Sequence, residues 1–113
     1  MIYKITPIAK CRMTRSDRWR KRPCVMRYWK FKDEVKKLGI KVEDHDTIVF
    51  HIPMPKSWST IKREEMDGAP HKQKPDIDNL LKALLDALFD DDSHISAIRV
   101  RKHWSTEGMI GIE

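Results

Sequence analysis

Between Ile77 and Leu88 the chain carries Ile77, Leu80, Leu81, Leu84, Leu85 and Leu88 at intervals of one, three and four. At about 100° per residue these side chains fall on one broad arc, which predicts an α-helix from Asp76 or Ile77 to Phe89 with one buried side. Asp78, Asn79, Lys82 and Asp86 fall together on the adjoining arc, so Asp78, Lys82 and Asp86 form a stripe with one residue per turn. The same stretch holds the chain's densest negative charge. Six of the 17 acidic residues lie between Asp76 and Asp92, three of them as the run Asp90, Asp91, Asp92. Carboxylates this close repel one another and raise each other's pKa unless a cation sits among them. A capped helix followed by a solvated acidic turn accounts for part of the set. Asp is a preferred N-cap, a first-turn Asp complements the helix dipole, and Lys82 can pair with Asp78 one turn away. One Asp suffices for the cap, however, and three like charges in series are unfavourable alone. A divalent-metal site accounts for the whole set.

The rest of the chain is basic. With 23 Lys and Arg the formal net charge is +6 and the pI near 9.4, a balance that suits a polyanionic partner. Nucleic acid is favoured over a membrane, because no apolar run approaches the ~20 residues that span a bilayer. The N-terminal MIYKITPIAK lacks the apolar core of a signal peptide. Cys11 and Cys24 have no metal-ligand spacing, so two reduced thiols in a cytoplasmic protein are expected.

Positive charge concentrates between Lys10 and Lys37, where 12 Lys or Arg face only Asp17, Asp33 and Glu34. Its first part has no periodicity and reads as a loop. Arg12, Arg15, Arg18, Trp19, Arg20, Lys21 and Arg22, with Lys10 ahead of them, interleave an aromatic with cations, which suits phosphate contact and base stacking. Lys72 and Lys74, in the extended HKQKP lead to the acidic stretch, extend the expected DNA contact.

Around these segments the chain reads in order as a strand at Ile2–Pro7 and a helix from Val25 or Met26 to Leu38, buried through Met26, Trp29, Val35 and Leu38 and stopped by Gly39. A strand at Asp46–Ile52 and a short helix at Thr60–Met66, capped by Ser57 or Ser59, come next. The Leu-rich helix follows, then a strand at His94–Trp104 and a final GMIGIE strand returning as its antiparallel partner. This order predicts one α+β domain over residues 1–113, a small mixed sheet with helices packed on it.

Hard oxygen donors without a thiolate suit Mg²⁺ or Mn²⁺. The five histidines are too scattered for a zinc signature, and no glycine-rich phosphate loop is present. Metal-activated water beside a lysine that stabilises charge at phosphorus is phosphodiester-hydrolysis chemistry. One geometric condition attaches: the helix is ~20 Å long, so the chain after Phe89 must carry the late carboxylates back to its start.

The runs Asp76-Ile77-Asp78-Asn79-Leu80-Leu81-Lys82, Asp86-Ala87-Leu88 and Asp91-Asp92-Ser93-His94-Ile95 resemble the motif of the RusA family of Holliday-junction resolvases. The resemblance implies a RusA-like fold and a Mg²⁺-dependent endodeoxyribonuclease, with Mn²⁺ substituting. It implies a homodimer that binds four-way DNA junctions and makes paired symmetric nicks in recombination and repair, in a bacterial cytoplasm and encoded by a phage or prophage. Carried over by motif position, Asp76, Asp78 and Asp92 are catalytic metal ligands, with Asp91 the alternative for the third, and Lys82 is the catalytic lysine. Asn79 and Asp86 support them. The competing readings are a non-catalytic DNA-binding regulatory module, which explains the charge but not the carboxylates, and a structural protein whose acidic turn pairs with a neighbour's basic half.

Overall fold

A computed structural model describes residues 1–11 and 23–113. The chain runs β1 (Ile2–Tyr3), α1 (Pro23–Leu38), β2 (Thr47–Pro53), α2 (Thr60–Met66), α3 (Ile77–Leu88), β3 (Arg99–Ser105) and β4 (Met109–Ile112). Types and order match the sequence reading. α1 opens on Pro23, whose fixed φ and missing N–H suit a first helical position. It closes on Gly39, whose φ of 65° only glycine adopts freely, with Gly39 N–H donating to the Lys36 carbonyl. α2 is capped by Ser59, whose hydroxyl accepts from Lys62 N–H at 3.2 Å.

The four strands form one mixed sheet in the order β1-β4-β2-β3. β2 and β3 pair in parallel along seven residues, from Thr47 with Arg99 to Pro53 with Ser105. α2 and α3 make the crossover between them, as a parallel pair requires. β4 therefore does not return beside β3. It lies antiparallel between β2 and β1, with Phe50 opposite Ile110 and Ile2 opposite Gly111. Composition gives the reason. β4 is apolar, and Ile110, Gly111 and Ile112 are buried, whereas β3 exposes Arg99 and Arg101 and suits an edge. The β3–β4 connection passes close to the N-terminal segment. A Cβ on Gly108 would lie 2.6 Å from Thr6 Cα, so only glycine fits there.

Alternation on β2 sends Ile48, Phe50 and Ile52 to one face, where they join Tyr28, Phe31 and Val35 of α1 and Leu80, Ala83, Leu84 and Ala87 of α3 in one core. Each fully buried leucine, such as Leu80 or Leu84, contributes about 1.5–3 kcal/mol. The stripe expected for α1 is displaced by one position. Val35 is buried as expected, but Met26, Trp29 and Leu38 are exposed, and Val25, Tyr28 and Phe31 are buried instead. The line through Met26 and Trp29 continues into Lys30, Asp33, Lys36 and Lys37, so it could not be buried along its length; the line through Val25, Tyr28 and Phe31 stays apolar to Val35.

Two strands are shorter than expected. β1 stops at Tyr3, where the chain turns so that Ile5 N–H meets the Tyr3 carbonyl at 3.0 Å. β3 begins at Arg99, because the preceding residues are held by a side chain instead of a ladder. Asp44 Oδ1 accepts from Ser96 N–H at 2.7 Å and Ala97 N–H at 2.9 Å, and its Oδ2 accepts from the Ser96 hydroxyl at 2.7 Å. These bonds, the Ser96 hydroxyl first, hold the Asp44 carboxyl down at about 2. A depressed carboxyl stabilises the fold fully above its unfolded pKa near 3.8, and that contribution is lost as pH falls through about 2. Asp44→Ala is therefore expected to melt below the wild type at pH 6, with the gap narrowing toward pH 2. A Tm difference that stays constant across that range would refute this role.

Cys11 and Cys24 are not two free thiols. They are joined as a disulfide with Cα atoms 5.8 Å apart. Cys24 lies in the first turn of α1, within disulfide reach of Cys11 in the N-terminal segment.

Candidate active site

The start of α3 is fixed from outside the helix. Lys102 on β3 reaches across the preceding segment, its Nζ donating to the Gln73 carbonyl at 2.6 Å and the Pro75 carbonyl at 2.7 Å. His71 N–H donates to the Lys102 carbonyl at 3.2 Å, and Pro70 bridges His103. The backbone entering Asp76 is thus tied to the sheet at four points.

Asp76 occupies the N-cap position, in extended conformation with φ −70° and ψ 147°, but its side chain makes no capping hydrogen bond. The sequence reading gave this residue a cap; the structure leaves its carboxylate unspent. Asp78 in the first turn and Lys82 one turn later are exposed on the same stripe. Among the described residues no ion pair joins them, nor does either have another side-chain partner. Asn79 is exposed, and its carbonyl accepts from Lys10 N–H at 3.2 Å.

The next residue along the stripe differs. Asp86 is half-buried and paired with the Lys10 ammonium. That ammonium also lies 5.8 Å from the centre of the Tyr28 ring. Burial pushes the Tyr28 hydroxyl above its ordinary pKa, partly opposed by Lys10. The structure thus places Lys10, expected to contact DNA, where its charge is shared with Asp86, and Asp86 where it ties the N-terminal segment to α3. Lys72 and Lys74 are exposed. Arg12, Arg15, Arg18, Trp19, Arg20, Lys21 and Arg22 lie outside the described residues.

The acidic turn is closed by local contacts. Phe89 and His94 meet edge to face with ring centres 4.8 Å apart. Asp91 Oδ1 accepts from Ser93 N–H at 2.9 Å, and this bonding holds the Asp91 carboxyl below its ordinary value. Ile95 N–H donates to the Asp92 carbonyl at 2.9 Å. The side chains of Asp90 and Asp92 are exposed, without side-chain partners among the described residues.

The chain does return from the end of α3 to its start, but the residues that arrive there are basic. Lys102 meets Pro75, and Arg101 lines a groove with Ile77. Among the described residues no three His, Cys, Asp or Glu side chains gather as a metal site, so Asp76, Asp78 and Asp92 are not brought together. Two unspent carboxylates at the start of α3 still fit Mg²⁺, which binds through one or two carboxylates and completes its shell with water and substrate phosphate.

Arg101, Lys102 and His103 escaped the sequence reading, as did His71 in the HKQKP lead. The signal for the first three was the basic run RVRKH on a strand that otherwise alternates, which marks an edge strand with its charged face open.

No curated protein and no solved structure matches the chain. The family model for endodeoxyribonuclease RusA matches residues 28–113, which include α3, the acidic turn and the whole crossover between β2 and β3. With an α+β fold of helices on a four-stranded mixed sheet and the Asp-rich stripe of α3 inside that match, the chain belongs to the RusA family of endodeoxyribonucleases, enzymes that resolve Holliday junctions by phosphodiester hydrolysis.

Proposed function

We propose that this chain is a Mg²⁺-dependent nuclease that cuts four-way DNA junctions by paired symmetric nicks, with Mn²⁺ substituting, and acts as a cytoplasmic homodimer. The observation that carries the reading is the unspent pair Asp76 and Asp78 with Lys82 one turn on, all exposed on α3 of a RusA-family chain. Asp76 and Asp78 would hold the ion; Asp92, the sequence's candidate for a third oxygen, stands apart from them in this structure. Asp91 is the weaker candidate for that third oxygen because its carboxylate already accepts from Ser93. When bound, the ion supplies charge neutralisation and activation of water. Lys82 presents its ammonium to the non-bridging oxygens of the scissile phosphate, where negative charge builds. Asn79 and Asp86 keep the helix surface and the Lys10 segment in register.

DNA is held by charge. The net +6 draws the phosphate backbone, and Lys10, the basic run from Arg12 to Arg22, Lys72 and Lys74 are the proposed contacts. Two-fold symmetry would set two identical sites against opposing strands of a pseudo-symmetric junction. Among the described residues no helix is long and apolar enough to cross a membrane.

The deciding experiment compares a synthetic four-way junction with linear duplex of the same sequence, with and without Mg²⁺. Nicking of the junction alone, only with metal, is the expected result. Junction binding without nicking across Mg²⁺ and Mn²⁺ titrations would reject catalysis in favour of a regulatory DNA-binding module.

A further inference from the structure

A groove of about 490 Å³ runs beside the start of α3, walled by Pro70, His71, Ile77, Arg101, Lys102 and His103. Its charge is one-sided, since no carboxylate among the described residues lines it. Ile77 sits between Asp76 and Asp78, so the groove opens next to the candidate active site. Alternation on β3 puts Arg101 and His103 on one face and Lys102 on the other. The Lys102 ammonium is committed to the Gln73 and Pro75 carbonyls, and His103 Nε2 lies 2.9 Å from His51 Nδ1. Arg101 is different. Its one ion pair among the described residues, with Glu113 at 3.9 Å, joins two largely exposed side chains and is weak, which leaves the guanidinium available.

The His71 ring walls the groove from the core side. It is 4% exposed and packed on Trp104 with ring centres 4.3 Å apart. Burial and the nearby Lys102 hold the ring below its ordinary pKa. The ligand that suits Arg101 in a groove walled by Pro70, Ile77 and this ring is an anion with an apolar shoulder. A deoxyribose phosphate has that character, with the sugar against Pro70 and Ile77 and the phosphate toward Arg101.

We propose that this groove is a phosphate subsite for the DNA strand that passes through the candidate active site, with Arg101 as its charge. The inference rests on the reading of Asp76 and Asp78 only for where that phosphate lies relative to the nick.

The test is binding, measured in EDTA so that cleavage plays no part. Four-way junctions carry a single neutral methylphosphonate at successive positions around the cut. In the wild type, one position or two adjacent ones should lower affinity about tenfold, the worth of a charge-assisted contact. Arg101→Gln should bind unmodified junction about tenfold more weakly, show no further loss at that position, and lower the slope of log K against log salt by about 0.9. Wild-type salt slope and undiminished methylphosphonate sensitivity in Arg101→Gln would overturn the subsite, as would a wild type with no sensitive position. Failure of the catalytic reading would look different: full binding behaviour and no Mg²⁺-dependent nick.

Discussion

Asp78→Asn is expected to abolish junction cleavage, by on the order of 10³-fold or more, while junction affinity stays near the wild-type value. The magnitude follows from the several kcal/mol of charge stabilisation that a catalytic metal provides, each 1.36 kcal/mol being a factor of ten in rate. The structure makes the substitution a clean one. Asp78 is exposed in the first turn of α3, is not the N-cap and has no side-chain partner among the described residues, so no native bond is broken. The loss to folding is the favourable placement of one negative charge at a helix N-terminus, about 0.3–1 kcal/mol. Single-turnover cleavage with excess protein, beside a gel-shift titration of the same junction, measures both quantities. Wild-type cleavage by Asp78→Asn would remove it from the chemistry. A parallel collapse of binding would instead make Asp78 part of how the junction is held.

The identities of the candidate residues were legible because the information is local. Asp76, Asp78 and Lys82 lie within two helical turns, and the leucine period fixes which way they face. The helices and two of their boundaries were legible for the same reason: Gly39 and Ser59 each act on the adjacent turn, whereas the start of α1 at Pro23 was placed two or three residues late. What the sequence hid is long-range. The placement of β4 between β1 and β2 depends on a competition between two strands for one interior position, decided by the charge of β3. The Lys10 to Asp86 pair joins residues 76 apart, and nothing near either one announces the other. The cap expected from Asp76 failed for a subtler reason. Its backbone has the extended geometry of an N-cap while its side chain makes no capping bond, so residue type and position alone overstate the interaction. The α1 stripe shows the same limit. Two apolar lines start one residue apart, and only the charges further along the helix tell them apart.

The long-range contact with the greatest expected consequence is Lys102. Its ammonium ties down two carbonyls, of Gln73 and Pro75, directly ahead of Asp76, so the position of the first proposed metal ligand is set by a residue 26 positions later in the chain. Lys102→Met keeps the apolar stem against the sheet and removes only the charged donor. The two carbonyls then turn to water, the segment relaxes, and Asp76 loses its fixed relation to Asp78 and Lys82. Partners that orient metal ligands typically matter by about 10- to 100-fold in metal affinity or activity, which is the loss expected here. A merely structural role would lower Tm and leave the metal requirement alone. A positioning role raises the Mg²⁺ concentration needed for half-maximal cleavage, and Lys102→Arg, which restores a donor at the same place, should recover part of it. Cleavage by Lys102→Met with the wild-type rate and the wild-type Mg²⁺ midpoint would show that the start of α3 holds its shape without the strand, and that the geometry of Asp76 is intrinsic to the helix.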